Sequence, residues 1–371
     1  MYSPGSSNSS VAVGDLNGDG LPDIAIARAS RTNDPVYYGD VLIRFQDILN
    51  PGSFSPPVEY AVDPGIKTVV IGDINNDGLS DLVTANSLGP SISLLMQDPA
   101  NPGTFLSVQN LPAGKGASGV AVGDLNGDGF ADLAVADVEL SIFLQDPALP
   151  GTFQPRTSLG VDSASVAIED LDGDLLPDLV VTDSQGIQVI LQDTVTPGTF
   201  LPAVEYLVGG EDLTDVVIGD LNNDNLMDLA LGLNNDKSKL LVFLQDPSKP
   251  GSFLPATTYI MGDYVYEVAI GDLNGDDRLD LAMSGWIVSG GKNYKVKFKE
   301  YVWVLLQDPA MPGAFFPPVR YGVDGFAGSL LAIADLNEDS FNDVLVGAKK
   351  IAIMFQDLAN SGSFLPVVVV D

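Results

Sequence analysis

Nine-residue segments with oxygen-bearing side chains at alternate positions recur seven times along the 371 residues, and no other residues in the chain are better placed to do chemistry. The first reads Asp15-Leu16-Asn17-Gly18-Asp19-Gly20-Leu21-Pro22-Asp23. A hard cation such as calcium takes six to eight oxygens. A nine-residue turn supplies most of them from the side chains at positions 1, 3, 5 and 9 and the carbonyl of position 7. In the first copy that set is Asp15, Asn17, Asp19, Asp23 and the Leu21 carbonyl. The second is Asp73, Asn75, Asp77, Leu79 and Asp81, and the third Asp124, Asn126, Asp128, Phe130 and Asp132. The fourth has a carboxylate at position 3 as well, giving Asp170, Asp172, Asp174, Leu176 and Asp178. The fifth is Asp220, Asn222, Asp224, Leu226 and Asp228. The sixth is Asp272, Asn274, Asp276, Arg278 and Asp280, and the seventh Asp335, Asn337, Asp339, Phe341 and Asp343. Metal-free Asp/Asn/Gly turns are the alternative, because these residues favour tight turns. Turn chemistry accounts for one or two acidic residues per loop, however, and carboxylates at alternate positions repel unless neutralised. Up to seven calcium ions are expected.

Position 6 must adopt the left-handed backbone that wraps the loop, which suits Gly20, Gly78, Gly129 and Asn225. Leu175 occupies it in the fourth loop, offset by the added Asp172, while Asp277 and Ser340 occupy it in the sixth and seventh. These last two are expected to be weaker or distorted sites.

The composition agrees with a cation-dependent fold. Fifty acidic residues face 17 basic ones, a formal charge of −33 that repels phosphate backbones and anionic headgroups, so nucleic acid is excluded as a partner. Twenty-two of the acidic residues are loop ligands. With no Cys and no His, disulfides, thiolate chemistry, imidazole base catalysis and the usual zinc ligands are all absent. No apolar run reaches the ~18 residues of a membrane span, so direct membrane insertion is not expected. The opening Met1-Tyr2-Ser3-Pro4-Gly5 has no basic and apolar leader. An export signal and further domains of a larger chain are therefore expected upstream.

The elements that must position the loops follow from the repeat. A second motif, Gln-Asp followed seven residues on by Phe, keeps step with the loops, from Asp47 and Phe54 to Asp357 and Phe364. Loop starts are 46 to 63 residues apart, with short β-branched runs and turn residues between, which is the signature of propeller blades. The expected fold is all-β, a single seven-bladed β-propeller with four antiparallel strands per blade. The blades run approximately 11–60, 69–113, 119–161, 165–208, 214–260, 266–322 and 329–371. In the Gln-Asp turn, Asp is expected to cap the turn and Phe to fill the space between blades. From each Phe to the next loop Asp the distance is 17 to 20 residues, whereas from the loop's last Asp to the Gln-Asp turn it ranges from 14 to 28. Variation therefore belongs to the hairpin between second and third strands, at the end of the blade opposite the Asp loops, and loop variation on a rigid scaffold is where specificity sits.

These loops, with strands such as Val11-Ala12-Val13-Gly14 before and Asp81-Leu82-Val83-Thr84 after, resemble the FG-GAP/VCBS repeats of integrin α-subunit propellers. The resemblance covers essentially the whole chain. It implies calcium in the Asp loops and a ligand site on the opposite face. All seven blades carry the loop, where integrins carry it in only some, and the Gln-Asp-Pro-x-x-Pro-Gly-x-Phe turn is similar to bacterial members, some of them lectins or adhesion modules. An extracellular or cell-surface location, in a bacterium, is expected.

Blade six holds both Trp residues and a local excess of Lys: Trp286, Tyr294, Lys295, Lys297, Tyr301 and Trp303 are candidates to contact a glycan or an extracellular protein. The same stretch also suits an exposed hairpin whose lysines block strand-to-strand aggregation. Tyr37 and Tyr38, in the long hairpin of blade one, frame the same face. No nucleophile and base stand out as a pair, so no catalytic residue is assigned. The expected function is a calcium-stabilised recognition or adhesion module. A propeller-type polysaccharide lyase and a structural unit of a surface layer or fibre are the alternatives.

Overall fold

A computed structural model of the chain describes residues 7–30, 38–114, 116–209, 212–234, 237–262, 264–289, 297–323, 325, 328, 330–347 and 350–370. The fold is a seven-bladed β-propeller, and there is no helix among the described residues. The chain divides into two compact units, Met1–Asp183 with Ile187–Tyr206, and Ser184–Gly186 with Leu207–Asp371. Blades one to four belong to the first unit and blades five to seven to the second.

In the first unit, blade one is β1 (Ser7–Gly14), β2 (Asp23–Ser30), β3 (Tyr38–Arg44) and β4 (Val58–Val62). Blade two is β5 (Ile66–Gly72), β6 (Asp81–Asn86), β7 (Ser91–Leu95) and β8 (Gln109–Pro112). Blade three is β9 (Gly119–Gly123), β10 (Asp132–Ala136), β11 (Ser141–Phe143) and β12 (Thr157–Ser158). Blade four is β13 (Ser165–Glu169), β14 (Asp178–Thr182), β15 (Gly186–Ile190) and β16 (Val204–Leu207). In the second unit, blade five is β17 (Asp212–Leu213), β18 (Val217–Gly219), β19 (Asp228–Asn234), β20 (Lys239–Phe243) and β21 (Thr257–Ile260). Blade six is β22 (Tyr264–Gly271), β23 (Asp280–Ser289), β24 (Lys297–Leu305) and β25 (Val319–Gly322). Blade seven is β26 (Leu330–Ala334), β27 (Asp343–Gly347), β28 (Ile351–Met354) and β29 (Val368–Val370). Strands pair in sequence order, so each blade is an up-and-down antiparallel sheet.

Blade five departs from the four-strand pattern because its first strand is broken. Thr214 Oγ1 accepts the Gly232 N–H at 2.7 Å, replacing a ladder carbonyl, and β17 and β18 each pair separately with β19.

Burial explains why the middle strands read as unbroken apolar runs. Every residue of β6, β7, β10, β11, β14, β15, β27 and β28 is buried, and in blades two and three neighbouring blades of the same unit cover both faces. The cores are shared between blades. Ala25, Val41 and Ile43 of blade one pack with Val69, Leu82, Leu95 and Phe105 of blade two. Blades five and six pack in the same way around Leu240, Val242, Val268, Met283 and Trp303. The turn Phe belongs to these cores: Phe105 meets Tyr60 edge-on at 5.4 Å, and Phe315 meets Tyr259 at 6.0 Å. Outer strands such as β8, β16, β21 and β25 alternate, with one inward residue among exposed ones.

Candidate metal centres

Each Asp loop joins the first and second strands of its blade and is held by its own side chains. Asp15 Oδ1 accepts the Asn17 and Gly18 N–H groups at 3.1 and 2.6 Å, and its Oδ2 accepts Gly20 N–H at 2.8 Å. Asn17 Oδ1 accepts Asp19 N–H at 2.8 Å, and Asp19 Oδ1 accepts Leu21 N–H at 2.9 Å. Nested turns of this kind wrap the backbone around the side chains of positions 1, 3 and 5. Position 2 anchors it: Leu16, Ile74, Leu125, Leu221, Leu273 and Leu336 are wholly buried and Leu171 nearly so.

All seven loops take left-handed backbone at position 6, including Leu175 (φ 70), Asn225 (φ 65), Asp277 (φ 62) and Ser340 (φ 72). The expected distortion of the sixth and seventh loops is not found. Asp277 and Ser340 donate their N–H to Asp272 and Asp335 Oδ2 at 2.8 Å, as Gly20 does to Asp15. Position 4 is left-handed as well, at Gly18, Asn76, Gly127, Gly173, Asn223, Gly275 and Glu338. The sequence reading missed that second requirement, although Gly or Asn fills the position in six of the seven copies.

Position 9 opens the second strand and is buried in every blade. Asp23 Oδ2 accepts Leu16 N–H at 2.9 Å from its own loop, and Oδ1 accepts Gln46 N–H at 2.8 Å from the turn after the third strand. Asp81, Asp132, Asp178, Asp228, Asp280 and Asp343 repeat this two-ended arrangement. Burial is the main influence on these carboxyls and pushes them up, to about 6 for Asp23, Asp132 and Asp178 and about 7 for Asp81, Asp228, Asp280 and Asp343. The two N–H donors oppose the rise, and the acidic neighbours within each loop add to it.

The donor set fits a hard divalent cation. Every ligand atom is oxygen, each loop concentrates three or four carboxylates, and no Lys or Arg sits among them except Arg278, whose Nε stands 4.0 Å from Asp276 Oδ2. The fourth loop shows the fit most plainly. Asp170, Asp172 and Asp174 each offer an oxygen within 4.8 Å of the others, and Asp174 Oδ2 is shielded from solvent with no hydrogen-bond partner. Burial and the Asp174 charge push Asp172 up as well.

At the other end of blade six the candidates separate. Trp303 is 1% exposed and lies in the core shared with blade five, so it is removed as a surface contact. It stands on a strand buried on both faces, where Tyr301, Trp303 and Leu305 turn toward blade five and Val302 and Val304 toward blade seven. Tyr301 is half-buried beneath Arg320, whose Cζ is 5.6 Å from the ring centre. Trp286 is half-buried and stacks on its cross-strand partner Tyr264 at 5.6 Å and 7°. The Tyr264 hydroxyl donates to Asp212 Oδ2 at 2.9 Å. Tyr37, Tyr294 and Lys295 lie outside the described residues, as do the side chains of Tyr38 and Lys297. Arg28, at the base of the blade-one hairpin, is paired with Asp40 and Glu59 at 3.0 Å each.

The FG-GAP-like repeat family matches residues 15–84, 73–135 and 170–231. Integrin alpha-V of Gallus gallus is 31% identical over 139 residues, 36% of this chain and 13% of the integrin, so the match spans only a small part of that relative's length. Among solved structures, BBS1N in complex with ARL6DN is similar at a TM-score of 0.57 and 14% identity, covering 98% of this chain and 94% of that one. A protein of unknown function from Desulfotomaculum acetoxidans is similar at 0.55 and 11%, covering 89% and 92%. At these identities the two structures speak for the fold alone.

Proposed function

We propose that this chain, an FG-GAP-repeat β-propeller, is a calcium-binding recognition or adhesion module of the cell exterior and not an enzyme. The observation that carries the reading is the fourth loop, where three carboxylates converge and one oxygen is shut away from water without a partner. An unpaired buried carboxylate oxygen is costly, and a cation is the group that satisfies it. With an affinity near 10⁻⁴ M and calcium at about 2 mM, each site stabilises the fold by roughly 1.8 kcal/mol, so ion binding decides how firmly the blades hold. The likeness to integrin alpha-V supports a surface role within a longer chain. The partner, a glycan or an extracellular protein, docks at the end of the blades opposite the Asp loops, where the hairpins vary in length.

The test is thermal unfolding and isothermal calorimetry of the purified chain in calcium and in chelator. The reading expects up to seven ions bound and a large calcium-dependent rise in Tm. Identical unfolding in both buffers would refute it.

A further inference from the structure

The turn after each third strand recurs as faithfully as the Asp loops, and calcium ligation alone gives it no part. Its glycine lies against the loop of the preceding blade. A Cβ built on Gly103 would fall 3.1 Å from Asn17 Cβ, on Gly151 3.2 Å from Asn75, and on Gly198 3.1 Å from Asn126. In the second unit the nearest atoms are leucines of the preceding blade, Leu244 at 2.5 Å for Gly313 and Leu306 at 2.6 Å for Gly362, with Asn222 and Asn274 behind them at 3.4 and 3.3 Å. In all five pairs the asparagine is position 3 of a loop, a ligand position. Each glycine is left-handed, with φ between 76° and 82°. The seam between blades six and seven adds polar ties, from Ser361 Oγ to the Asn274 carbonyl and from Gln356 Nε2 to the Leu273 carbonyl.

The same turn is fastened to its own blade's loop. Gln97 Oε1 accepts Gly103 N–H at 3.3 Å, while Gln97 N–H donates to Asp81 at 2.7 Å. Gln145 does the same for Gly151 and Asp132, and Gln192 for Gly198 and Asp178. Each seam of the first unit is thus a chain of contacts running from position 3 of one loop, through the next blade's glycine and glutamine, to position 9 of the next loop, and loops one to four are joined in series. In the second unit the middle link differs: Gln307 Oε1 accepts from Arg278 Nη1 at 3.4 Å, and Gln356 Oε1 is buried without a hydrogen-bond partner.

We infer that calcium binding is positively cooperative within the first unit and that the Gln-to-Gly turn is the positioning element that couples its adjacent loops. The inference rests on the calcium reading above. Fixing the position-3 side chain about an ion fixes the surface on which the next turn sits. That turn in turn holds the position-9 carboxylate of the next site, so a second ion finds its ligands already ordered. Coupling between sites of this kind is typically worth about 5- to 150-fold in affinity. Its physical warrant is a contiguous network rather than mere proximity.

The experiment is a calcium titration of the full chain by calorimetry, for the wild type, Gly151→Ala and Gly160→Ala. Gly160 is left-handed too (φ 67) but has open space around its Cβ position, so its variant carries the backbone strain without the contact. The expected result is a wild-type curve steeper than independent sites allow. Gly151→Ala should flatten it and raise the midpoint by roughly 5-fold or more, and Gly160→Ala should leave both unchanged. A wild-type curve described by independent sites overturns the coupling and leaves the calcium reading standing, as does an equal effect of both variants. If Gly151→Ala does not fold, the wild-type curve alone decides. Absence of any calcium binding overturns both.

Discussion

Replacing Asp81 by Asn tests the position-9 carboxylate at its most exacting point. Asp81 is fully buried, and in the absence of a cation burial pushes it to about 7. The Asp77 and Asp73 charges add to the rise, and the N–H groups of Gln97 and Ile74 oppose it. A carboxyl raised above its unfolded value of about 3.9 keeps a proton in the folded chain that the unfolded chain has released. The stability it contributes is therefore complete below about pH 4 and is lost as pH rises through about 7. With all seven position-9 groups raised to about 6 or 7, the folded chain at pH 5 holds about six more protons than the unfolded chain, and at pH 8 fewer than one. In chelator, Tm should fall steadily from pH 5 to pH 8. In calcium the ligands are held ionised, so the trend should reverse and Tm should rise with pH. The amide introduced by Asp81→Asn would keep an acceptor for Gln97 N–H but turn an NH₂ toward Ile74 N–H, costing about 1–3 kcal/mol. It would also remove about one proton from the uptake at pH 5. Against the wild type, the variant's deficit should therefore shrink toward pH 8 in chelator and not in calcium. The assay is calorimetric unfolding across pH in two buffers of different ionisation enthalpy, which yields the proton count. A chelated wild-type Tm that is flat or rises over that range would refute the reasoning, as would unchanged proton uptake in the variant.

Three further outcomes follow from particular side chains. Leu175 holds a left-handed backbone while 87% exposed, so Leu175→Gly should stabilise the chain by roughly 1 kcal/mol, seen as a higher denaturant midpoint. Trp303→Ala should cost about 3–5 kcal/mol, because it empties the core between blades five and six, and unfolding in denaturant measures it. Trp286→Ala gives up the stack on Tyr264, about 0.5–1.5 kcal/mol, and should abolish binding on a glycan array if the far end of blade six is the recognition surface. Array binding that survives this change would move the contact elsewhere.

The seven blades and their Asp loops were legible because the ligand positions combine two independent constraints. Alternate carboxylates repel one another and so are rare in ordinary turns, and position 6 demands a left-handed residue. Where only one constraint acts, the signal was weaker. Position 4 is left-handed throughout, but Glu338 breaks the Gly/Asn pattern, and its φ of 60 is legible only in the backbone. Trp303 was misplaced because a basic, aromatic stretch suggests an exposed hairpin. The alternation of Tyr301, Trp303 and Leu305 with Val302 and Val304 signals instead a strand covered on both faces. The break in blade five depends on Thr214 supplying a side-chain oxygen to Gly232 N–H, a local substitution that no periodicity records. The approach of five turn glycines to the preceding loop was also invisible, since it joins residues 72 to 91 positions apart whose spacing shifts with every hairpin length.

That contact bears on why the proposed recognition surface lies at the opposite end of the blades. On the loop end of the first unit, position 3, position 9, the glutamine and the turn glycine are each engaged with a neighbour, so a change in one disturbs a proposed ion site and a seam together. Gly103, for example, has Asn17 on one side and Phe45 at 3.4 Å on the other, leaving no room for a side chain to vary. The hairpins between second and third strands differ twofold in length from blade to blade, so their contacts, such as Asn234 with the Val265 backbone, are particular to one blade and not repeated. A scaffold that fixes one end through repeated loops and seams, as the calcium reading has it, can vary the other end without loss of stability. Specificity for a partner can accumulate only where that freedom exists.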